Sequence, residues 1–205
     1  MLKWLKMKER LMSKTLSFNL KRLVVGAILY FLCLGLGVLC NFIFDRNGNM
    51  FYAPAFSAIF SGILFFQYLL KKPFFGFITL TSGLVSFFFL TSGHFWATIL
   101  PYWLFALLAD GIALSGQYHN DWKNKLSFIV FSLTTTGPIL FMWLAPKAYQ
   151  NMLLERGKDM AYVNRVMVAQ DWQPLIFFWT LTLLGAVVGI WLGKTLQVSS
   201  FKKKA

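Results

Sequence analysis

Six long apolar stretches follow one another along the chain, separated by short polar or charged segments. Within each stretch the apolar residues run continuously rather than alternating, which favours membrane-spanning α-helices over the strands of a barrel. A helix needs about 20 apolar residues to cross a hydrocarbon core of roughly 30 Å. The predicted spans cover residues 23–44, 52–70, 73–92, 95–115, 126–145 and 174–196.

The composition is that of an integral membrane protein. Hydrophobic residues make up 58% of the chain and charged residues 13%, against about 45–50% and 25% in ordinary soluble domains. These values exclude intrinsic disorder, and two cysteines are too few for a disulfide-rich secreted domain. The net charge of +13 lies mostly between apolar runs, so we expect a lipid bilayer rather than nucleic acid as its partner.

The basic residues predict an orientation, because Lys and Arg concentrate on the cytoplasmic side of a membrane. Fifteen of the 20 Lys and Arg residues fall at the two ends of the chain and in the connections after spans 2 and 4. Both termini are therefore predicted to be cytoplasmic, with the protein in the plasma membrane. Residues 1–22 form a basic interfacial segment in this prediction, 23–196 the membrane domain and 197–205 a basic tail.

Few residues carry catalytic or metal-binding chemistry. His94 and His119 belong to no H-E-x-x-H motif and no C-x-x-C pair occurs, so we expect no metal, no cofactor and no enzymatic activity. No Walker A motif occurs either, so ATP-driven work would need a motor from another protein. Asp110 is an ionisable residue inside a span, and it either has a functional role or caps a helix near the interface.

The longest connection, residues 146–173, is predicted to lie outside the cell as a lid that carries a short helix. Loops of this length are usually functional, and this one mixes aromatic, Met and charged residues. We expect a substrate site where it meets spans 4, 5 and 6. The candidate substrate-binding residues are His94, Trp96, Thr136, Trp143, Tyr149, Arg156, Lys158, Tyr162, Arg165, Trp172 and Gln173. An interfacial aromatic belt is an alternative explanation for Trp96 and Trp172.

Small residues and one proline predict how the helices pack. Gly137 and Pro138 predict a kink in the fifth span, and the threonines before them either satisfy the broken turn or face a ligand. Three glycines repeat every fourth residue on the last span, a pattern that favours close packing within the bundle or against a partner membrane protein. These glycines are Gly185, Gly189 and Gly193.

Four short motifs follow one another between residues 71 and 205. They are Thr91-Ser92-Gly93-His94, Ala109-Asp110, Thr136-Gly137-Pro138, and Gly185 to Lys194 followed by the basic tail. In this order they resemble the substrate-binding S components of energy-coupling-factor (ECF) transporters, specifically the Trep_Strep-type membrane family. The resemblance implies that the protein captures a scarce micronutrient in a pocket open to the outside. A transmembrane coupling protein and two ABC ATPases would then drive its release inside.

The resemblance also implies a docking face for the coupling protein on small residues of the first helix. Gly26 and Ala27 are the candidates there, with Cys33 and Gly37 as a shifted substitute and Asp110 on the fourth helix. S components commonly use an A-x-x-x-A face on this helix; here Gly26 and Ala27 are followed four residues later by Tyr30 and Phe31, so the pattern is broken.

The cargo implied by the resemblance is a vitamin-like compound or haem. Aromatic, Met and basic residues at the outer mouth would suit either one. His94 would contact the cargo, and Arg156, Lys158 or Arg165 would attract its carboxylates. Two alternatives stay open, a structural or regulatory membrane protein and a small membrane enzyme.

Overall fold

The computed structural model describes the backbone of residues 2–46, 48–71 and 73–202, and the side chains of 16–46, 48–71 and 73–197. All regular elements in these ranges are helical. The α-helices are α1 (Leu2–Phe44), α2 (Ala53–Leu64), α3 (Phe77–Thr91), α4 (Ile99–Ser115), α5 (Asp121–Ser132), α6 (Gly137–Leu144), α7 (Pro146–Glu155), α8 (Met160–Val166) and α9 (Trp172–Lys202), with short π or 3₁₀ segments at Phe65–Leu69, Trp96–Thr98 and Leu133–Thr136. The end of the predicted basic tail, residues 203–205, and the side chains of the predicted interfacial segment up to residue 15 lie outside the described residues.

Four helical segments are long and apolar enough to cross a membrane. They are Leu16–Phe44, Trp96–Ser115, Asp121–Leu144 and Trp172–Gln197. Two shorter apolar helices, Ala53–Leu69 and Phe77–Thr91, extend over about 25 Å and 22 Å at 1.5 Å per residue. The predicted all-α membrane fold is confirmed, and the six predicted spans each coincide with a helical segment. That all six cross the membrane remains a prediction.

The six segments close into a ring around an aromatic core. Helix α2 packs between α1 and α9, α3 between α1 and α4, and α5 between α4 and α9. Inside the ring the Tyr30 and Phe131 rings lie 5.0 Å apart, and those of Phe65 and Phe128 lie 5.1 Å apart. All four side chains are almost completely buried.

The outer surface of the ring is apolar. On α1 alone, Ile28, Leu32 and Leu39 are 55%, 55% and 63% exposed. Soluble proteins rarely expose contiguous apolar surface of this extent, so lipid is the solvent that this surface suits.

Helices α2 and α9 run parallel and in close contact through glycine. A Cβ at Gly193 would lie 2.6 Å from the carbonyl oxygen of Gly62, which is too short for any real contact. Gly185 and Gly189 lie in the same way against the carbonyl oxygens of Ala55 and Ala58. The three glycines thus face α2 inside the bundle, where a larger side chain would push the helices apart.

The fifth predicted span is interrupted rather than smoothly kinked. A 3₁₀ turn, Leu133–Thr136, separates α5 from α6, and Pro138 occupies the first turn of α6, where its missing N–H costs nothing. The Thr136 hydroxyl donates to the Leu133 carbonyl at 2.7 Å, and the Thr134 hydroxyl lies 2.6 Å from that of Tyr30. Thr136 therefore satisfies a carbonyl group of the broken turn, whereas Thr134 ties the turn to α1.

The long connection holds two short helices where the sequence predicts one. Gly157 has φ of +76°, a conformation that ends α7. Two residues later Asp159 accepts a hydrogen bond from the Tyr162 backbone N–H at 2.7 Å and so caps α8. Buried residues of both helices, including Leu153 and Val163, pack against α6 and α9. We refer to this end of the bundle as the α7–α8 end.

Candidate functional site

A cavity of about 110 Å³ opens between α1, α2, α4 and the break that precedes α6, at the α7–α8 end. Most of its wall is apolar and comes from several helices. The apolar lining residues are Leu34, Val38, Met50, Ala53, Pro54, Phe89, Pro138 and Ile139. Its polar lining residues are Ser57, His94, Thr98, Tyr102 and Thr135.

Two of these polar residues are buried, and their side-chain hydroxyls have no hydrogen-bond partner among the described residues. Ser57 is 3% exposed and Tyr102 6%, and neither hydroxyl makes a hydrogen bond to another residue that the structure describes. Thr98 and Thr135, by contrast, donate their hydroxyls to the Phe95 carbonyl at 2.7 Å and the Ser132 carbonyl at 3.4 Å. The free hydrogen-bonding capacity of the wall therefore lies with Ser57 and Tyr102, together with the ring of His94.

His94 reaches the cavity from the connection between α3 and α4. Its Nδ1 lies 3.2 Å from the carbonyl oxygen of Phe89 and 3.1 Å from the Ser92 hydroxyl. A carbonyl oxygen only accepts, so the bond to Phe89 places a proton on Nδ1 and leaves Nε2 as an acceptor. The residue as a whole is exposed, but partial burial of its ring, and secondly the charge of Arg156, lower the pKa of His94 below 6.5. The ring is therefore neutral at pH 7.

Arg156 lies beside this connection rather than in the cavity wall. A Cβ at Gly93 would lie 3.7 Å from its guanidinium carbon, so the guanidinium group lies within van der Waals distance of position 93. Burial raises the pKa of the neighbouring Tyr149 to about 12, while Arg156 acts in the opposite direction. Arg156 thus places positive charge between α7 and the connection that carries His94.

The other basic candidates gather around one aromatic ring on α8. The ammonium nitrogen of Lys158 and the guanidinium carbon of Arg165 lie 4.9 Å and 5.3 Å from the centre of the Tyr162 ring. Both cations are exposed. Together with Arg156 they make the outer surface of α7 and α8 positive, but none of them lines the cavity.

The tryptophan candidates also lie outside the cavity. Trp96 and Trp172 are 63% and 66% exposed, and Gln173 is exposed as well. The rings of Trp143 and Trp172 lie 4.7 Å apart. Thr136 is fully buried and bonded within its own turn. Of the eleven substrate-binding candidates, His94 is the one that the structure places in the cavity wall.

The docking candidates on α1 face other helices of the bundle. Gly26 and Ala27 are buried, and a Cβ at Gly26 would lie 3.3 Å from the hydroxyl oxygen of Thr81 on α3. Gly37 packs on α2, where a Cβ would lie 2.7 Å from the Ser57 backbone nitrogen. Cys33 is half-buried against the core.

Asp110, the fifth docking candidate, is fully buried and joins α4 to the start of α3. Its carboxyl group accepts from the Thr79 backbone N–H at 3.2 Å, the Thr79 hydroxyl at 3.0 Å and the Tyr118 hydroxyl at 2.9 Å. Thr79 lies in the first turn of α3, where backbone N–H groups have no partner within the helix. Burial and Asp110 both raise the pKa of Tyr118, which keeps this hydroxyl a donor.

Sequence reasoning missed Ser57, Tyr102 and Met50. Met50 has φ of +61°, a conformation that costs free energy in a non-glycine residue. Fully buried Asn41 holds this loop: it accepts from the Tyr52 backbone N–H at 2.8 Å, and its amide nitrogen lies 3.9 Å from the Met50 sulfur. An asparagine near the end of an apolar span was the available signal.

A ring of helices with an apolar outer surface defines a helical integral membrane protein, here with a cavity at one end of the ring. The chain belongs to the Trep_Strep family, described as hypothetical bacterial integral membrane proteins, whose family model matches residues 20–203. No curated protein and no solved structure was found to match the chain. The prediction of a bacterial membrane protein of this family is thereby confirmed.

Proposed function

We propose that this protein is the substrate-capturing S component of an ECF-type importer in the plasma membrane. In this proposal all six helical segments cross the bilayer and both termini are cytoplasmic. The excess of Lys and Arg at the chain termini and in the connections after α2 and α4 supports the orientation. The α7–α8 end then faces outside, where a micronutrient arrives.

The cavity is the observation that carries the proposal. It lies at the predicted outer end, it is lined by His94, and two of its hydroxyls have no protein partner within the described ranges. A pocket with a mostly apolar wall and a few convergent polar groups is typical of a small-molecule site. The exposed cations of α7 and α8 would attract an anionic group of the cargo before it enters.

The proposed role is binding and release, without chemistry on the cargo. Energy would come from two ABC ATPases through a transmembrane coupling protein. The buried positions of Gly26, Ala27 and Gly37 mean that docking through them would require α1 to move away from α2 and α3. The exposed apolar side of α1, with Ile28 and Leu32, is therefore the first surface to test by crosslinking.

The proposal is tested by purifying the tagged full-length protein from its native host in mild detergent and identifying co-purifying proteins by mass spectrometry. We expect a coupling membrane protein and two ATPases in stoichiometric amounts. An Ile28→Arg, Leu32→Arg variant should lose them if α1 docks through its exposed side, while Leu184→Arg on exposed α9 serves as the matched control. Recovery of the protein alone, under conditions that preserve other membrane complexes, would favour a structural role or a solitary enzyme.

Orientation has its own test. We expect a fluorescent protein that folds only in the cytoplasm to be active at the C-terminus. A periplasmic or secreted phosphatase reporter should be active when inserted after Gly157, at the tip between α7 and α8. The opposite pattern would reverse the orientation and place the cavity on the cytoplasmic side.

A further inference from the structure

The cavity specifies the polarity of its occupant through two hydroxyl groups in a wall that is otherwise largely apolar. Ser57 and Tyr102 are buried, and their hydroxyls have no hydrogen-bond partner in the part of the chain that the structure describes. Both hydroxyls keep surface open to the cavity, so water can bond to them when no ligand is bound. An occupant that bonds to both hydroxyls replaces this water, whereas a hydrocarbon of the same shape expels it and leaves the hydroxyls unpaired.

The volume of the cavity limits the occupant to about one ring. The cavity measures about 110 Å³, and an engineered apolar cavity of about 150 Å³ holds one benzene molecule. A tetrapyrrole is a rigid macrocycle of four such rings. Haem is therefore far larger than this cavity, whereas one small ring is close to it in size and can extend into its open mouth.

The wall of the cavity carries no formal charge. No Lys, Arg, Asp or Glu is among its lining residues, and His94 is neutral at pH 7 because burial and Arg156 lower its pKa. Burying a charged group without a partner costs far more than burying a hydrogen-bonded neutral one. The part of the ligand inside the cavity must therefore be uncharged.

Aromatic side chains give the cavity flat surfaces. The rings of Phe89 and Tyr102 lie 5.9 Å apart at an angle of 37°, and those of Phe89 and His94 lie 5.0 Å apart. Flat rings in such an environment gain from offset-stacked or edge-to-face contacts. An aromatic ring therefore suits the wall better than a sugar or an aliphatic chain.

We propose that the cavity binds one uncharged, nitrogen-containing heteroaromatic ring, with Ser57 and Tyr102 bonded to its polar edge. His94 Nε2 accepts a hydrogen bond from a ring N–H or amino group. This inference rests on the proposed function, and it names the chemical class of the cargo. A negatively charged group, where the cargo carries one, is far enough from the ring to stay outside the cavity on the side of Arg156, whereas a carboxylate bonded directly to the ring would enter the uncharged cavity.

The test uses purified full-length protein in lipid nanodiscs and isothermal titration calorimetry. Uracil and nicotinamide are the neutral heteroaromatic probes, benzamide lacks the ring nitrogen, nicotinate carries a charge, and haem is the four-ring probe. We expect saturable binding of at least one neutral heteroaromatic probe. Benzamide and nicotinate should bind at least about tenfold more weakly than nicotinamide if nicotinamide is that probe, since one lost hydrogen bond is worth about a factor of ten.

Substitutions that remove single hydroxyls locate the binding. Tyr102→Phe and Ser57→Ala should each weaken binding of the neutral probe about tenfold. Matched controls are Tyr68→Phe, whose hydroxyl donates to the Arg22 carbonyl at 3.0 Å, and Ser61→Ala, one turn further along α2. Neither control residue lines the cavity, and both variants should bind as the wild type does.

Three results would overturn the ligand class: no binding of either neutral heteroaromatic probe, unchanged affinity in both Tyr102→Phe and Ser57→Ala, or saturable haem binding that Tyr102→Phe weakens. Failure of the proposed function looks different. Ring binding without co-purifying coupling proteins would overturn the transporter role and keep the ring site. Recovery of coupling proteins without ring binding would support the transporter role and overturn the ring site.

Discussion

Asp110 and Tyr102 lie two turns apart on α4, and both are buried, but their polar groups are in opposite states. The Asp110 carboxyl group accepts three hydrogen bonds, from the backbone and hydroxyl of Thr79 and from Tyr118. The Tyr102 hydroxyl accepts and donates none within residues 16–46, 48–71 and 73–197. A polar group that the fold fully satisfies holds the fold together, whereas one left open at a cavity is available to a ligand.

Between these two residues a polar seam joins α3 to α4. The Thr79 hydroxyl lies 3.4 Å from the Ala106 carbonyl, and the Ser82 hydroxyl donates to the Tyr102 carbonyl at 2.9 Å. The backbone of Tyr102 is thus fixed while its hydroxyl stays free. This combination of a rigid support and an open polar group is what a preorganised binding site requires.

The largest effect on stability is expected at Asp110, whose buried carboxyl group is fully hydrogen-bonded. Asp110→Ala removes three hydrogen bonds and leaves buried donors unpaired, so we expect a loss of about 2–4 kcal/mol in the free energy of unfolding. Thermal unfolding of the purified protein in detergent measures it. The matched control is Asp121→Ala, which removes an exposed carboxylate paired with Lys125 and Lys194 and should cost less than about 1 kcal/mol. Equal losses in the two variants would contradict the structural role of Asp110.

The next effect concerns the backbone contact that positions one wall of the cavity. A Cβ at Gly137 would overlap the carbonyl oxygen of Thr98, so Gly137→Ala must push the start of α6 away from α4. We expect a destabilisation of about 1–3 kcal/mol and loss of ring binding. Gly111→Ala is the control, because a Cβ at Gly111 meets nothing within 4 Å. Wild-type stability in Gly137→Ala would contradict this prediction, because it would show that α6 can shift away from Thr98 with no loss in the free energy of unfolding.

Sequence reasoning located the helices better than the site, for a physical reason. Continuous apolar runs and the pair Gly137–Pro138 are local signals, and the structure has helices and a break at those positions. The cavity instead collects single residues from distant segments, so Ser57 and Tyr102 resemble any other small polar or aromatic residue of an apolar helix. The tryptophans drew attention by composition, yet Trp96 and Trp172 face outwards.

His94 should give a smaller effect that depends on pH. Its folded-state pKa is lowered from 6.5 by burial and by Arg156, so the unfolded chain takes up its proton at a higher pH than the folded protein does. Stability should therefore be full above pH 6.5 and fall as the pH drops from there towards the folded-state pKa. Melting temperatures measured between pH 5 and pH 8, in about half-unit steps, would show this.

Two variants assign this pH dependence. His94→Gln should remove its contribution, and Arg156→Ala should reduce it, because the cation that opposes protonation is gone. A curve that is identical in wild type and His94→Gln would mean that other groups cause the loss at low pH. An unchanged curve in Arg156→Ala would leave burial as the whole cause.

The smallest effect on stability is expected at Tyr102. Removing its hydroxyl in Tyr102→Phe breaks no protein hydrogen bond, so the free energy of unfolding should change by less than about 0.5 kcal/mol while ligand binding weakens. The same substitution at Tyr118 removes a hydrogen bond to Asp110 at 2.9 Å and should cost about 1–2 kcal/mol. Thermal unfolding of the two variants without ligand makes this a direct comparison of one chemical change at two sites. A loss at Tyr102 equal to that at Tyr118 would mean that the hydroxyl of Tyr102 already has a structural partner, and the contrast between the two ends of α4 would fail.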